Sequence, residues 1–179
     1  LSGLEYACGI PGSIGGAIFM NAGAYDGETK NVAALVRAID RDGAPRTYPH
    51  DALELGYRHS VFQRNGEAIC EVELQLQAGE ESAIRAKIAD YTQRRESKQP
   101  LELPSAGSTF KRPEGYFAGT LIDQTGLKGL QVGGAQVSTK HAGFVVNAGG
   151  ATAADVVNLI HEVQRQVKAK HGVELHPEV

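Results

Sequence analysis

The chain has 179 residues, 41% hydrophobic and 22% charged, with a formal net charge of −3. That is enough material for one good-sized domain or two small ones. The slight acidic balance gives no electrostatic reason to expect nucleic acid or an anionic membrane as partner, no apolar run reaches the roughly 18–20 residues that span a bilayer, and Cys8 and Cys70 make neither a disulfide framework nor a zinc pattern.

Residues 1–27 read as a glycine-rich, loop-rich segment, with Ile14, Ala17, Ile18 and Phe19 as a short apolar patch. Val32 to Asp40 is apolar and β-branched, and Asp42-Gly43 then Arg46-Thr47-Tyr48 complete a hairpin signal. In 68–77, Val72, Leu74 and Leu76 alternate with Glu71, Glu73 and Gln75, the pattern of a half-buried strand. Ile84, Ile88 and Tyr91 recur at helical spacing over 80–97, and Gln99-Pro100 and Pro104 end that helix. The stretch 98–104 is the best domain-boundary candidate. Residues 115–124 read as a short helix with Gly126 as its C-cap, and Phe144-Val145-Val146 as a buried strand. Thr152 and Asp155 open the clearest helix with a capping pattern. Its stripe is Val156, Leu159, Ile160, Val163 and Val167, and Gly172 closes it. Val173-Glu174-Leu175 reads as the start of one more strand. Mixed elements with early antiparallel signals predict an α+β fold rather than a regular βαβ array.

Five segments carry possible chemistry. Gly9-Ile10-Pro11-Gly12-Ser13-Ile14-Gly15-Gly16-Ala17 is neither the Gly-x-Gly-x-x-Gly of a dinucleotide fold nor a P-loop. Its amides suit an anion nest or simply a packed turn. Asn21-Ala22-Gly23-Ala24-Tyr25 extends the same small-residue surface, the kind of backbone wall that a flat cofactor needs. Gly56-Tyr57-Arg58-His59-Ser60 lies between strand candidates, and residue type alone favours a solvated charge for Arg58. In Pro104-Ser105-Ala106-Gly107-Ser108-Thr109-Phe110-Lys111-Arg112-Pro113, small residues and hydroxyls precede two cations, which suits a loop that meets phosphate and holds a hydroxyl nearby. No Ser-His-Asp spacing and no Gly-x-Ser-x-Gly support Ser108 as a nucleophile; proton donation or an ordinary turn remain. Ser138 to Asn147 contains His141, whose type and position favour a structural role. Leu175-His176-Pro177-Glu178-Val179 ends the chain with a carboxylate that is either catalytic or exposed. The histidines show no His-x-x-x-His pairing, so no zinc or other metal site is expected.

Taken in order, Gly-Ile-Pro-Gly-Ser-Ile-Gly-Gly-Ala, Asn-Ala-Gly-Ala-Tyr, Gly-Tyr-Arg-His-Ser, Ala-Gly-Ser-Thr-Phe-Lys-Arg-Pro, Lys-His-Ala-Gly-Phe-Val-Val-Asn and Pro-Glu-Val resemble successive motifs of the UDP-N-acetylenolpyruvoylglucosamine reductase family. The resemblance covers nearly the whole chain. Lys111-Arg112-Pro113 and Lys140-His141-Ala142-Gly143 resemble the short variant, which lacks an extra tyrosine-bearing loop over the substrate. The resemblance implies that 1–97 is the remaining part of an FAD-binding α+β domain. It makes 98–172 a substrate-binding α+β domain and 173–179 a strand returning to the first. It further implies a chain truncated at both ends, since the family's first FAD-contacting loop has no counterpart here and members usually continue past Val179.

The implied activity is NADPH-dependent, FAD-mediated reduction of the enolpyruvyl group of UDP-N-acetylglucosamine enolpyruvate to UDP-N-acetylmuramate. That step belongs to peptidoglycan precursor synthesis, and so to cell-wall biogenesis, cell shape and division, in a cytoplasmic enzyme expected to be a monomer. By resemblance Arg58, Ser108 and Glu178 are catalytic, with Ser108 the proton donor. Gly9, Ile10, Pro11, Gly12, Ser13, Gly15, Gly16, Asn21, Ala22, Gly23 and Ala24 line the cofactor. Tyr57, Lys111, Arg112 and Lys140 contact the substrate. Two other classes stay open: a different flavin oxidoreductase of the same flavin-binding fold, and a non-catalytic fragment that binds only the nucleotide-sugar.

Overall fold

Every strand pairing in the chain is antiparallel. The computed structural model describes residues 1–179 and divides them into two units, residues 1–95 and 96–179. The α+β expectation holds.

The first unit contains helix α1 (Ile14–Phe19), the short strands β1 (Gly23–Ala24) and β2 (Gly27–Glu28), strands β3 (Ala33–Ile39) and β4 (Pro45–Pro49), the single-turn helix α2 (Phe62–Asn65), strand β5 (Ala68–Leu74) and helix α3 (Glu81–Lys98), whose last residues belong to the second unit. The expected hairpin is present, with Val36 opposite Tyr48 and Arg37 opposite Thr47. β3 is the centre of a three-stranded sheet, β4-β3-β5. Its inward face, Val36 and Ala38, packs with Ile18, Leu53 and Phe62. Phe62, Ile18 and Leu53 are fully buried, and removing such a side chain from water stabilises by about 1.5–3 kcal/mol.

α1 is a helix inside the segment expected to be loop-rich. Gly15 and Gly16 are poor helix formers, yet the Ser13 hydroxyl caps the turn by accepting from Gly16 N at 3.1 Å, and Ile18 locks it into the core. On α3, the expected stripe divides: Tyr91 is buried, Ile84 half-buried and Ile88 exposed. Tyr91 earns its burial by stacking on Tyr25, ring centroids 4.5 Å apart, and its carbonyl accepts from Tyr25 Oη at 3.0 Å.

The second unit contains strand β6 (Ser105–Ser108), helix α4 (Ala118–Thr125), strands β7 (Gln131–Val132), β8 (Ala135–Val137) and β9 (Phe144–Asn147), and helix α5 (Ala153–His171). Its sheet runs β6-β9-β8-β7. α5 forms as its sequence dictates. Thr152 Oγ1 accepts from Asp155 N at 3.1 Å, and Asp155 Oδ2 accepts from Thr152 N at 2.9 Å. Leu159, Val163 and Val167, four residues apart, are fully buried against α4, β8 and β9. Gly126 and Gly172 close α4 and α5 in left-handed conformations. Val173 to Leu175 is not a strand, which corrects that expectation. Leu175 instead drops into the second unit's core, its carbonyl held by Gln164 Nε2 at 2.8 Å, and Pro177 bridges to Phe110.

Candidate functional site

In the second unit, the pairing of β6 with β9 is irregular between Ser105 and Ser108, where Gly107 takes φ +96°. A bulge of this kind bends a strand and re-aims its side chains, and Ser108 at its end is exposed. The next residue, Thr109, faces inward and is only 2% exposed. Its amide donates to Gly143 O at 2.8 Å, its hydroxyl accepts from Val145 N at 3.1 Å, and its carbonyl accepts from Glu178 N at 3.0 Å. Lys111 N donates to His176 O at 2.8 Å one step further on. The last residues of the chain are thereby laced along 109–111, so that Ser108 and the half-buried Glu178 flank the same threonine.

Thr109 is the residue that motif reading passed over. The signal was present: successive side chains on a strand face opposite sides, so an outward Ser108 requires an inward Thr109.

The cations of this unit differ in placement. The Arg112 guanidinium lies over the Phe117 ring at 3.9 Å, and its Nε donates to Tyr116 O at 3.3 Å. Phe117 is 60% exposed, so the pair forms a surface-facing shelf. Lys111 is half-buried beside it in sequence. Lys140 Nζ donates to Glu96 O at 2.9 Å, one of the last carbonyls of α3, and stands 3.7 Å from Glu102. A cation there also complements the negative end of the helix dipole. Lys140 thus makes polar contacts within the unit while its residue stays exposed.

His141 turns back on its own loop. Gly143 N donates to its Nδ1 at 3.1 Å, and its ring meets Phe144 edge-on at 5.0 Å. Accepting at Nδ1 requires a neutral ring with its proton on Nε2. Burial lowers its pKa below the ordinary imidazole value, and the Lys128 and Lys98 charges push the same way. The structural role that residue type favoured is the one observed.

In the first unit, Gly56 and His59 exchange backbone hydrogen bonds, Gly56 N to His59 O at 3.1 Å and His59 N to Gly56 O at 3.2 Å. Tyr57 and Arg58 form the tip between them. Arg58 takes φ +51°, a left-handed conformation rare outside glycine and asparagine, and such strain persists only where the surroundings enforce it. The guanidinium lies 5.3 Å from the Tyr57 ring centroid, and Tyr57 is 57% exposed.

The glycine segment divides in two. Gly9, Pro11, Gly12, Ser13, Ile14 and Gly16 are exposed, with Ile10 and Gly15 partly covered. That is an open face of backbone and small side chains. Asn21 to Ala24 are tied within the unit. Ala22 O accepts from Thr29 N at 2.9 Å and Thr29 Oγ1 at 3.0 Å, while Gly23 and Ala24 pair with Glu28 and Gly27. Asn21 is 1% exposed, with all its side-chain groups bonded within the unit. Of this set, the stretch from Gly9 to Gly16 is the more open and Asn21 the most buried.

Residues 99–179 match the family described as UDP-N-acetylenolpyruvoylglucosamine reductase, C-terminal domain. The whole chain is 59% identical to the UDP-N-acetylenolpyruvoylglucosamine reductase of Clostridium perfringens strain SM101, spanning 59% of that protein, and 56% identical to that of Limosilactobacillus reuteri, spanning 60% of it. The crystal structure of the UDP-N-acetylenolpyruvylglucosamine reductase of Thermus caldophilus matches with a TM-score of 0.86 at 39% identity, over 99% of this chain and 64% of that one. Similarity in sequence over the full chain and in fold agree with the ordered motifs: the chain is similar throughout to UDP-N-acetylenolpyruvoylglucosamine reductases, and it spans about three-fifths of the length of the relatives it matches.

Proposed function

We propose that this chain is part of an enzyme that reduces the enolpyruvyl group of UDP-N-acetylglucosamine enolpyruvate to UDP-N-acetylmuramate, using FAD and NADPH, for peptidoglycan precursor synthesis. The observation that carries the reading is the Thr109 clasp. It brings a hydroxyl, Ser108, and a carboxyl, Glu178, from opposite ends of the second unit's sequence to one edge. A simple nucleotide-sugar binder has no need of that pairing.

FAD, when bound, supplies the hydride that ends on the terminal vinyl carbon of the substrate. The residues present suit that cofactor. The exposed backbone from Gly9 to Gly16 offers a flat wall with few side chains, as an isoalloxazine face requires. Residues 1–97 are accordingly assigned to the flavin-binding part and 98–172 to the substrate part.

Within each part the side chains have separable tasks. Arg58 offers a guanidinium to the substrate carboxylate, where negative charge grows as the double bond is reduced; preorganised cations act best where charge develops. Glu178, held beside Ser108 by the Thr109 clasp, offers its carboxyl as a hydrogen-bonding partner to the substrate. Ser108 delivers a proton to the carbon next to the carboxylate. A serine hydroxyl is a weak acid, so it serves only a strongly basic carbon held within hydrogen-bond reach. Lys111 and Arg112 face the diphosphate, for which Arg supplies a bidentate fork and Lys a point charge.

The test is Ser108→Ala in the complete enzyme. Flavin reduction by NADPH should be retained, while reoxidation by the enolpyruvyl substrate should slow by about 10²–10⁴-fold. Equal slowing of the two half-reactions would overturn the assignment.

A further inference from the structure

Asn21 has the marks of a residue held under constraint. It takes φ +43°, outside the usual range for a side-chain-bearing residue, and is 1% exposed. Each of its polar groups is occupied. Nδ2 donates to Gly56 O at 2.9 Å and to Glu28 Oε2 at 3.0 Å, and Oδ1 accepts from Lys30 N at 2.8 Å. A buried amide with both donors used and its oxygen already accepting is committed chiefly to the protein itself. Gly56 O is also the acceptor for His59 N, so the Asn21 amide grips the base of the turn that carries Tyr57 and Arg58.

Two more side chains run between the same segments. Ser60, fully buried, donates from Oγ to Phe19 O at 2.7 Å. Gln63 Nε2 donates to Phe19 O at 3.1 Å and to Arg58 O at 3.0 Å. The end of α1 and the Arg58 turn are therefore one strapped unit. The strap also supplies the surroundings that hold Arg58 in its left-handed conformation.

We infer that Asn21 is a positioning residue for Arg58, acting through Gly56, and not a cofactor ligand. The inference rests on the role proposed for Arg58 only for its kinetic consequence; the strap itself stands on the geometry. Its mechanical content is that the glycine segment and the Arg58 turn move together. A flat cofactor seated on Gly9–Gly16 would then stand at a set distance from the cation that meets the substrate carboxylate.

The experiment compares Asn21→Gly with the unaltered complete enzyme. Glycine adopts φ +43° without strain, so the substitution removes the strap while sparing the backbone. The readouts are hydrogen exchange at the His59 amide, flavin affinity by absorbance titration, and the two half-reactions. We expect His59 to exchange on the order of tenfold faster through local opening, with flavin affinity and reduction by NADPH retained. Reoxidation by the enolpyruvyl substrate should fall about tenfold or more, because small misplacements of a positioning group are costly. The loss should lie in kcat as well as KM. Gln63→Ala, at an exposed position, gives the same pattern more weakly and carries the test should Asn21→Gly fail to fold. Unchanged His59 exchange in both variants, or loss of flavin affinity with His59 exchange unchanged, overturns the inference. Faster exchange with unchanged reoxidation supports the strap and overturns instead the role given to Arg58.

Discussion

A hydroxyl buried beside a strand must find a hydrogen-bond partner or cost stability, and Thr109 meets the demand by accepting from Val145 N. Thr109→Val keeps the shape but strands that amide, so a destabilisation of about 1–3 kcal/mol is expected in urea unfolding, with Thr109→Ser recovering most of it. Equal stability of the Val and Ser variants would show that the bond contributes nothing. His141 makes a pH-dependent contribution of defined sign. Its folded pKa lies below the ordinary value of 6.5 because the ring is partly buried, with Lys128 and Lys98 adding to the effect. The unfolded chain therefore takes up the proton first. Stability is fully present above about pH 6.5 and declines as pH falls from there toward the folded pKa. Protonation would also set Nδ1–H against Gly143 N–H. An NMR titration of the His141 ring should give a midpoint below 6.5, and a midpoint above it would contradict this account. At this scale the sequence pointed to candidate residues but not to which way they face. Asn21 sat in a motif of small residues, and its burial depends on partners that include the sequence-distant Gly56.

Among the elements, α5 and the β3–β4 hairpin were legible because their signals are local. A Thr-x-x-Asp cap, a four-residue stripe and a terminal glycine define a helix without reference to the rest of the chain. Asp42-Gly43 between apolar runs does the same for a hairpin. The pairs β7–β8 and β6–β9 were missed. β7 has two residues and β8 three, too few to show a period of two. β6 reads Ser-Ala-Gly-Ser, which has no strand propensity and is held in the sheet by β9. Close packing supports the β7–β8 turn from the side. A Cβ on Gly134 would lie 2.3 Å from Gly149 O and 2.4 Å from Ala151 N, both backbone atoms. Gly134→Ala should therefore displace the segment leading to the α5 cap and cost roughly 1–3 kcal/mol, measured as a lowered Tm. An unchanged Tm would mean that this segment yields freely.

For the whole molecule, no helix is long and apolar enough to cross a membrane, both cysteines are free, and no group of metal-ligating side chains is present. Each unit holds its own apolar cluster, as independent cores require. The sequence by itself determined the α+β class, the best-capped helix, the main hairpin and the family resemblance, because each rests on residue types at short spacing or on motifs in order. Tertiary structure alone decided that α1 is a helix, that Thr109 clasps the Ser108 and Glu178 segments together, that Lys140 turns to the end of α3, and that the Asn21 amide bonds the Gly56 carbonyl. Whether a polar side chain faces solvent or is spent internally depends on which backbone groups folding brings beside it, and for Thr109, Lys140 and Asn21 those include groups tens of residues away in the sequence. For α1 the deciding contact is Ile18 in a core that local propensity does not describe.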